Sequence, residues 1–281
     1  MGPDDDADVR LSDGDDFAIV DRKGAWIKRL SLDHKDILKE STDGKTTHGG
    51  ACQLIPFAGR VRNASYSLDG AGYTLPRNDG ENSIHGFVRN MHFNADVRKD
   101  GKSAAFHVLA TEAGYPAQIG VTITMGVERH RFAAAYVVRN AGDRRAPLVI
   151  GSHPYFLFIG KWRLSHSERL ERLVLTGGYF PDGTVEQADF NASTDTGMMR
   201  FDDCFRGGGT LTLSDDEKDV VIRRNNMQYF LIYNGIYSQG ISVAIEPMTG
   251  APDAFNNGMG LCLLDPGAVF RCSFEIEVRG R

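Results

Sequence analysis

Residues 118–128 read QIGVTITMGVE. Ile119, Val121, Ile123, Met125 and Val127 alternate with Gln118, Gly120, Thr122, Thr124, Gly126 and Glu128. A period of two sustained this long puts one set on each face of an extended chain, giving a strand with one buried and one wet face. Residues 269–279, VFRCSFEIEVR, repeat the pattern with Phe270, Cys272, Phe274, Ile276 and Val278 as the apolar set. Shorter runs of this kind lie near 16–20, 25–32, 104–111, 131–140, 147–158, 173–176, 210–213, 219–224, 228–234, 241–246 and 261–264. DG, GG, NG and PG turn signals separate them. Helical character is confined to 165–174, where Ser165 and Glu168 have capping-box spacing ahead of Leu170, Leu173 and Val174. Strands this numerous without crossover helices predict an all-β fold, a large antiparallel β-sandwich.

The length of 281 residues suits one such unit, since sandwiches run to about 250 residues as single domains. The chain reads as one domain over 16–281, preceded by an acidic arm at 1–15 rich in Asp, Gly and Ser and expected to be mobile. With 32 basic and 37 acidic residues the net charge is −5, which argues against a nucleic-acid partner. No apolar run approaches the ~18 residues of a membrane helix. The opening MGPDDDADVR is acidic where a secretory signal is basic and then apolar. Cys52, Cys204, Cys262 and Cys272 show no CxxC spacing and are too sparse for a disulfide or zinc framework. Reduced thiols in a cytoplasmic protein are the expectation, and the N-x-S sequons at Asn63 and Asn191 then carry no information.

Nucleotide and hydrolase signatures are missing: there is no GxxxxGK[ST], no GxGxxG between a strand and a helix, no GxSxG and no HExxH. What stands out is a set of polar residues in unusual settings. Glu246, in ISVAIEPMTGAPDAFNNG (241–258), shares a strand face with the small Ser242 and Ala244. Pro247 follows, biasing Glu246 to an extended conformation and tending to end the ladder there. Such a carboxylate suits a cleft, though a solvated strand-end Glu shows the same pattern. His153 lies in the apolar segment VIGSHPYFLF (149–158), where a hydrogen-bonded core histidine is the ordinary alternative. His85 precedes Gly86 in a loop, ENSIHGFVRN, and Arg60 sits on a turn in QLIPFAGRVRN. Asp202 and Asp203 adjoin in RFDDCF, usually a solvated turn. Two His and one Glu could also bind a metal, but they lie on distant segments without short ligand spacing, so no metal is expected.

Taken in order, these segments resemble the aldose 1-epimerase (galactose mutarotase-like) family. The resemblance rests on GGACQLIPFAGRVRN with SLDGAGYTLPRND, similar to an Arg after a proline-containing run followed by G-x-x-Y-x-L-x-x-N, whose last residue is Asn78. SIHGFVRN, SHPYF, RFDDCF, AIEPMTGAPDAFN and LDPGAVFRCSFEIEV follow in the family's order across nearly the whole chain. The resemblance implies a sandwich with a sugar bound in an open groove. It also implies roles: Glu246 as catalytic base, His153 as catalytic acid, and His85 as a second histidine near the sugar ring oxygen. Arg60, Asp202, Tyr155 and Asn78 are implied as substrate-binding positions. Two departures bear on the sugar preferred. Many relatives carry Asn where this chain has Gly59, and a sugar-contacting glutamine has no secure counterpart, Gln228 being only nearby.

Interconverting pyranose anomers requires a base to take the C1 hydroxyl proton while an acid protonates the ring oxygen. The C1–C2 bond then turns and the ring recloses on the other carbonyl face. A carboxylate and an imidazolium suit this, each transfer contributing about 10²–10⁴-fold, and no cofactor is needed because no electrons leave the sugar. Attraction across a partly wet groove is expected to favour both charged forms. A hexose-6-phosphate epimerase is the nearest alternative and would want cations converging on the phosphate, with Arg60, Arg62, Arg77 and Arg89 available. A non-catalytic sugar-binding protein on the same scaffold would be expected to break the acid–base pair. A glycoside hydrolase would need a second carboxylate flanking the bond.

Overall fold

The computed structural model describes residues 7–177, 179–190 and 199–280. The stretch that opened the reading forms the strand Ile119–Glu128, paired with Ser103–Ala110 on one side and Arg131–Asn140 on the other. Its apolar set is buried and the intervening residues are more exposed. Val269–Gly280, the second alternating stretch, lies next to Arg131–Asn140. Together with Asn94–Val97, Lys218–Asn225, Thr210–Ser214 and Arg163–His166 these make an eight-stranded antiparallel sheet.

A second sheet, of eleven strands, runs in the order Val9–Asp13, Asp16–Asp21, Trp26–Leu32, Ala51–Leu54, Gly151–Leu157, Ser242–Met248, Tyr229–Tyr233, Asp202–Arg206, Leu170–Thr176 and Phe180–Ala188, with Lys35–Asp36 beside the third. One apolar cluster joins the facing sides: Phe156, Phe230, Val243 and Ile245 from this sheet, Ile123, Phe132, Ala134 and Phe274 from the other. Tyr136 donates a hydrogen bond of 2.6 Å to Gln53 Oε1, tying the two sheets through a buried polar contact. The fold is therefore a large antiparallel β-sandwich, as the alternation predicted.

Three local expectations are corrected. Part of the arm placed at 1–15 is a strand. Val9–Asp13 pairs with Asp16–Asp21, and Val9 and Leu11 enter the core. The alternation of Val9 and Leu11 with polar neighbours was masked by the acidic composition, and residues 1–6 lie outside the described residues, as does the sequon at Asn191. The helix suggested at 165–174 is two strands in different sheets, Arg163–His166 and Leu170–Thr176. Ser167 Oγ accepts from Thr210 N at 2.8 Å, a contact to a distant segment and not a helix cap. Leu170 and Leu173 lie on opposite faces of the second strand, each buried in a different apolar cluster, so a strand buried on both sides shows a helix-like three-residue spacing. The strand after Glu246 does not end at Pro247, which stays in the ladder opposite Phe230 and runs on to Met248.

Candidate active site

The site grows from one feature of the larger sheet: its outer face is roofed by loops along the central strands. The register pairs Gly151 with Met248 and Tyr155 with Ala244, so His153 falls across from Glu246 on the neighbouring strand. Cys52 flanks His153 on one side and Leu231 flanks Glu246 on the other. The adjacent row on the same face runs Tyr155, Ala244, Tyr233, Asp202. Small Ala244 separates two tyrosines whose ring centroids are 6.3 Å apart. Period-two alternation thus supplies the floor: every residue of these rows points the same way.

Walls come from the loops. Arg60–Val61 pairs with Ser83–Ile84, which brings Arg60 and His85 to the same edge. His85 donates its backbone N–H to Gly59 O at 3.0 Å. His85 and Gly86 both have left-handed φ, 63° and 62°, and a Cβ on Gly86 would lie 2.0 Å from Ile55 O. Only glycine fits this approach, and the turn it permits aims the His85 ring at His153, 5.5 Å centroid to centroid. The Asn78 side chain accepts from Ile84 N at 2.7 Å and donates to Ile84 O at 3.1 Å, clamping the same loop.

A cleft of about 530 Å³ results, and Glu246, His153, His85, Arg60, Asp202, Tyr155 and Asn78 all line it. His153 Nε2 stands 3.2 Å from Glu246 Oε1, the two side chains 7% and 2% exposed. His153 also stacks on Tyr155 at 4.7 Å. Glu246 Oε2, His153 Nδ1 and His85 Nδ1 are buried without a hydrogen-bond partner among the described residues. Buried polar atoms are normally paired, so three orphans around one cleft mark a place built to meet polar groups of a ligand.

The electrostatics depart from the expected charged pair. Burial pushes the His153 imidazole down to about 3, and holds the Glu246 carboxyl well above the usual carboxylate range with the Asp202 charge adding to the effect. Both groups are buried in the groove floor, and taking both charges out of water outweighs their attraction. The favoured state is a neutral pair, one proton shared between an imidazole and a carboxyl. His85 is held well below its ordinary value by burial, with the charges of His153, Arg89 and Arg60 adding.

A sequence model of the aldose 1-epimerase family matches residues 9–277. The chain belongs to the aldose 1-epimerase family. It is 26% identical over 289 residues to the uncharacterized protein YihR of Escherichia coli K12, covering 95% of this chain and 92% of that protein. It is 27% identical over 267 residues to an aldose 1-epimerase of Streptococcus thermophilus, covering 77% of this chain and 76% of that one. In fold it is similar to an aldose epimerase homologue from C. elegans, with a TM-score of 0.85 at 17% identity, covering 98% and 99% of the two chains.

Within this aldose 1-epimerase family member the two departures from the family pattern have structural readings. Gly59 has φ of 67°, and a Cβ there would lie 2.9 Å from Pro252 Cβ, so Pro252 closes the position to an asparagine side chain. Gln228 is exposed and outside the cleft lining; its carbonyl accepts from Gly207 N. Of the four arginines considered for a phosphate, Arg60 and Arg89 line the cleft, whereas Arg62 and Arg77 do not. Arg60 Nε is engaged by Asp79 at 2.6 Å and its guanidinium lies 3.7 Å over the Tyr179 ring. Arg62 and Arg77 face Asp253 and Glu81.

Sequence reasoning missed Thr47, His48, Tyr179, Tyr233, Ile236 and Tyr237, which also line the cleft, and considered Arg89 only for a phosphate. Tyr233 carried a usable signal, since it shares alternation phase with Leu231, the partner of Glu246. His48 and Tyr237 carried none, because they meet only through loop packing.

Proposed function

We propose that the protein is an aldose 1-epimerase acting on a free aldose such as glucose or galactose, in the cytoplasm. The observation that supports this best is the buried 3.2 Å contact between His153 and Glu246 on the floor of a polar cleft. The pair holds one proton between two sites. In either arrangement it contains one donor and one acceptor, the inventory that ring opening and reclosure need. The shared proton first moves from Glu246 to His153; Glu246 then takes the C1 hydroxyl proton while His153 delivers its proton to the ring oxygen, and reclosure on the other carbonyl face reverses both transfers. His85, kept neutral, hydrogen-bonds beside the ring oxygen without adding charge. Arg60 and Asp202 bind hydroxyls from the wall, and Tyr155 packs behind His153 and fixes its ring plane. Asn78 acts through the loop that carries His85.

A free sugar is favoured over a phosphosugar because three of the four arginines already face carboxylates. Magnetisation exchange between anomeric protons at equilibrium tests the reaction. The expected result is faster α–β exchange for glucose or galactose and little for glucose 6-phosphate; exchange accelerated only for the phosphate ester would replace this reading with the phosphosugar one.

A further inference from the structure

One wall of the cleft has a construction that the acid–base pair does not account for. His48 stacks on Tyr237 with ring centroids 3.6 Å apart and planes 16° from parallel. Its Nδ1 lies 2.7 Å from Asp43 Oδ2. Asp43 is in turn held by Ser41 Oγ and Lys45 N, each donating to Oδ1 at 3.1 Å. The hydrogen bonds from Lys45 N and His48 hold the Asp43 carboxyl down to about 2, so it is an anion at neutral pH.

The backbone beneath His48 is fixed with equal care. Lys39, buried in the wall, donates from Nζ to His48 O at 2.8 Å. Gly50 has φ of 65°, and a Cβ there would lie 2.3 Å from Ile27 O, so the loop is pressed against the sheet strand below. Tyr155, which stacks on His153, donates from its hydroxyl to Thr47 O at 2.9 Å. The imidazole is thus held in ring plane by Tyr237, in rotation by Asp43 and in height by Lys39. With Nδ1 engaged, Nε2 is the ring nitrogen left for the cleft that His48 lines. A side chain 15% exposed and fixed this fully is a preorganised hydrogen-bonding group.

We propose that His48 is a specificity-determining residue that reads, through Nε2, one hydroxyl of the aldose other than that at the anomeric carbon, with Asp43 as its positioning residue. The proposal rests on the aldose reading above and deepens it. Sites that hydrogen-bond a hydroxyl reject the analogue lacking it, because the site's polar group is then left unpaired. His48 therefore makes one position of the sugar count.

The test is a cycle between protein and ligand. Affinities of the full-length protein and of His48→Phe for glucose and its 2-, 3-, 4- and 6-deoxy analogues are measured by titration calorimetry. Phenylalanine keeps the stack on Tyr237 and removes the nitrogen; His48→Gln, which keeps a polar group, guards against loss of fold. In the wild type one deoxy position is expected to cost about tenfold in affinity, or about 1.4 kcal/mol. In His48→Phe that penalty falls below about twofold while the penalties at the other positions remain. Asp43→Asn shows the same pattern at reduced size. Retention of every deoxy penalty in both His48 variants overturns the proposal, and so does failure of the wild type to bind any aldose. Sugar binding without faster mutarotation, with the cycle intact, overturns the epimerase reading and leaves His48 its role.

Discussion

The strands Ile119–Glu128 and Ser242–Met248 are both central in antiparallel sheets, yet they are built to opposite rules. In the first, buried residues alternate with partly exposed ones, and each polar side chain keeps contact with water. In the second, every residue is buried. Val243 and Ile245 face the core between the sheets, while Ala244, Glu246 and Met248 face loops instead of solvent. The first strand contributes stability through the area it removes from water. The second holds a carboxyl beside a histidine with polar atoms unpaired, an arrangement that costs stability and suits chemistry. Roofing one sheet face with loops is what turns a strand into the floor of a site.

Replacing Glu246 breaks the comparison most sharply. Glu246→Gln keeps the shape and removes the base, so turnover is expected to fall by about 10²–10⁴-fold with sugar affinity nearly kept; steady-state mutarotation rates and calorimetric titration check both. His153→Asn tests the partner in the same way. Truncation in the other strand gives the opposite balance. Ile123→Ala is expected to cost about 2–5 kcal/mol of stability in denaturant melts, with kcat little altered. Glu246→Gln should in turn raise stability by about 1–2 kcal/mol at neutral pH, because folding no longer has to protonate a carboxyl that is ionised in the unfolded chain. A fall in melting temperature for that variant would show the pair to be structural.

The smallest effects concern pH. His153 and His85 are neutral when folded and shifted below the ordinary histidine value of 6.5, so the unfolded chain takes up protons that the folded one refuses. Their contribution to stability is complete above that value and is lost as pH falls from there toward the folded value, about 3 for His153. Melts from neutral to mildly acidic pH should show this decline, and His85→Asn should flatten it. Turnover should stay level over roughly pH 5 to 8, because the shared proton belongs to the pair and both limbs are pushed outward. A basic limb near the ordinary histidine range would mean that His153 works as a charged acid in a wetter groove.

Much of this was legible in the sequence. Alternation in 118–128 and 269–279 gave both strands and their buried faces, since a sheet with one wet side leaves a simple period. The motif blocks around Glu246, His153, His85, Arg60, Asp202, Tyr155 and Asn78 named residues that meet in one cleft. What was not legible depends on long-range contacts. The burial of the pair follows from loops closing over the floor, so its charge state could not be read from its two residues. His48 and Tyr237 lie far apart in sequence and meet only in the folded wall. Leu170 and Leu173 imitated a helix because their strand is buried on both faces, one leucine in each apolar cluster.

The most direct test of the central claim is polarimetry of freshly dissolved α-D-glucose and α-D-galactose at neutral pH, with the wild-type protein, with Glu246→Gln and with neither. The account predicts that the wild type speeds relaxation to the usual equilibrium rotation for at least one sugar and that Glu246→Gln abolishes most of the gain. Equal acceleration by both proteins, or by neither, would contradict it.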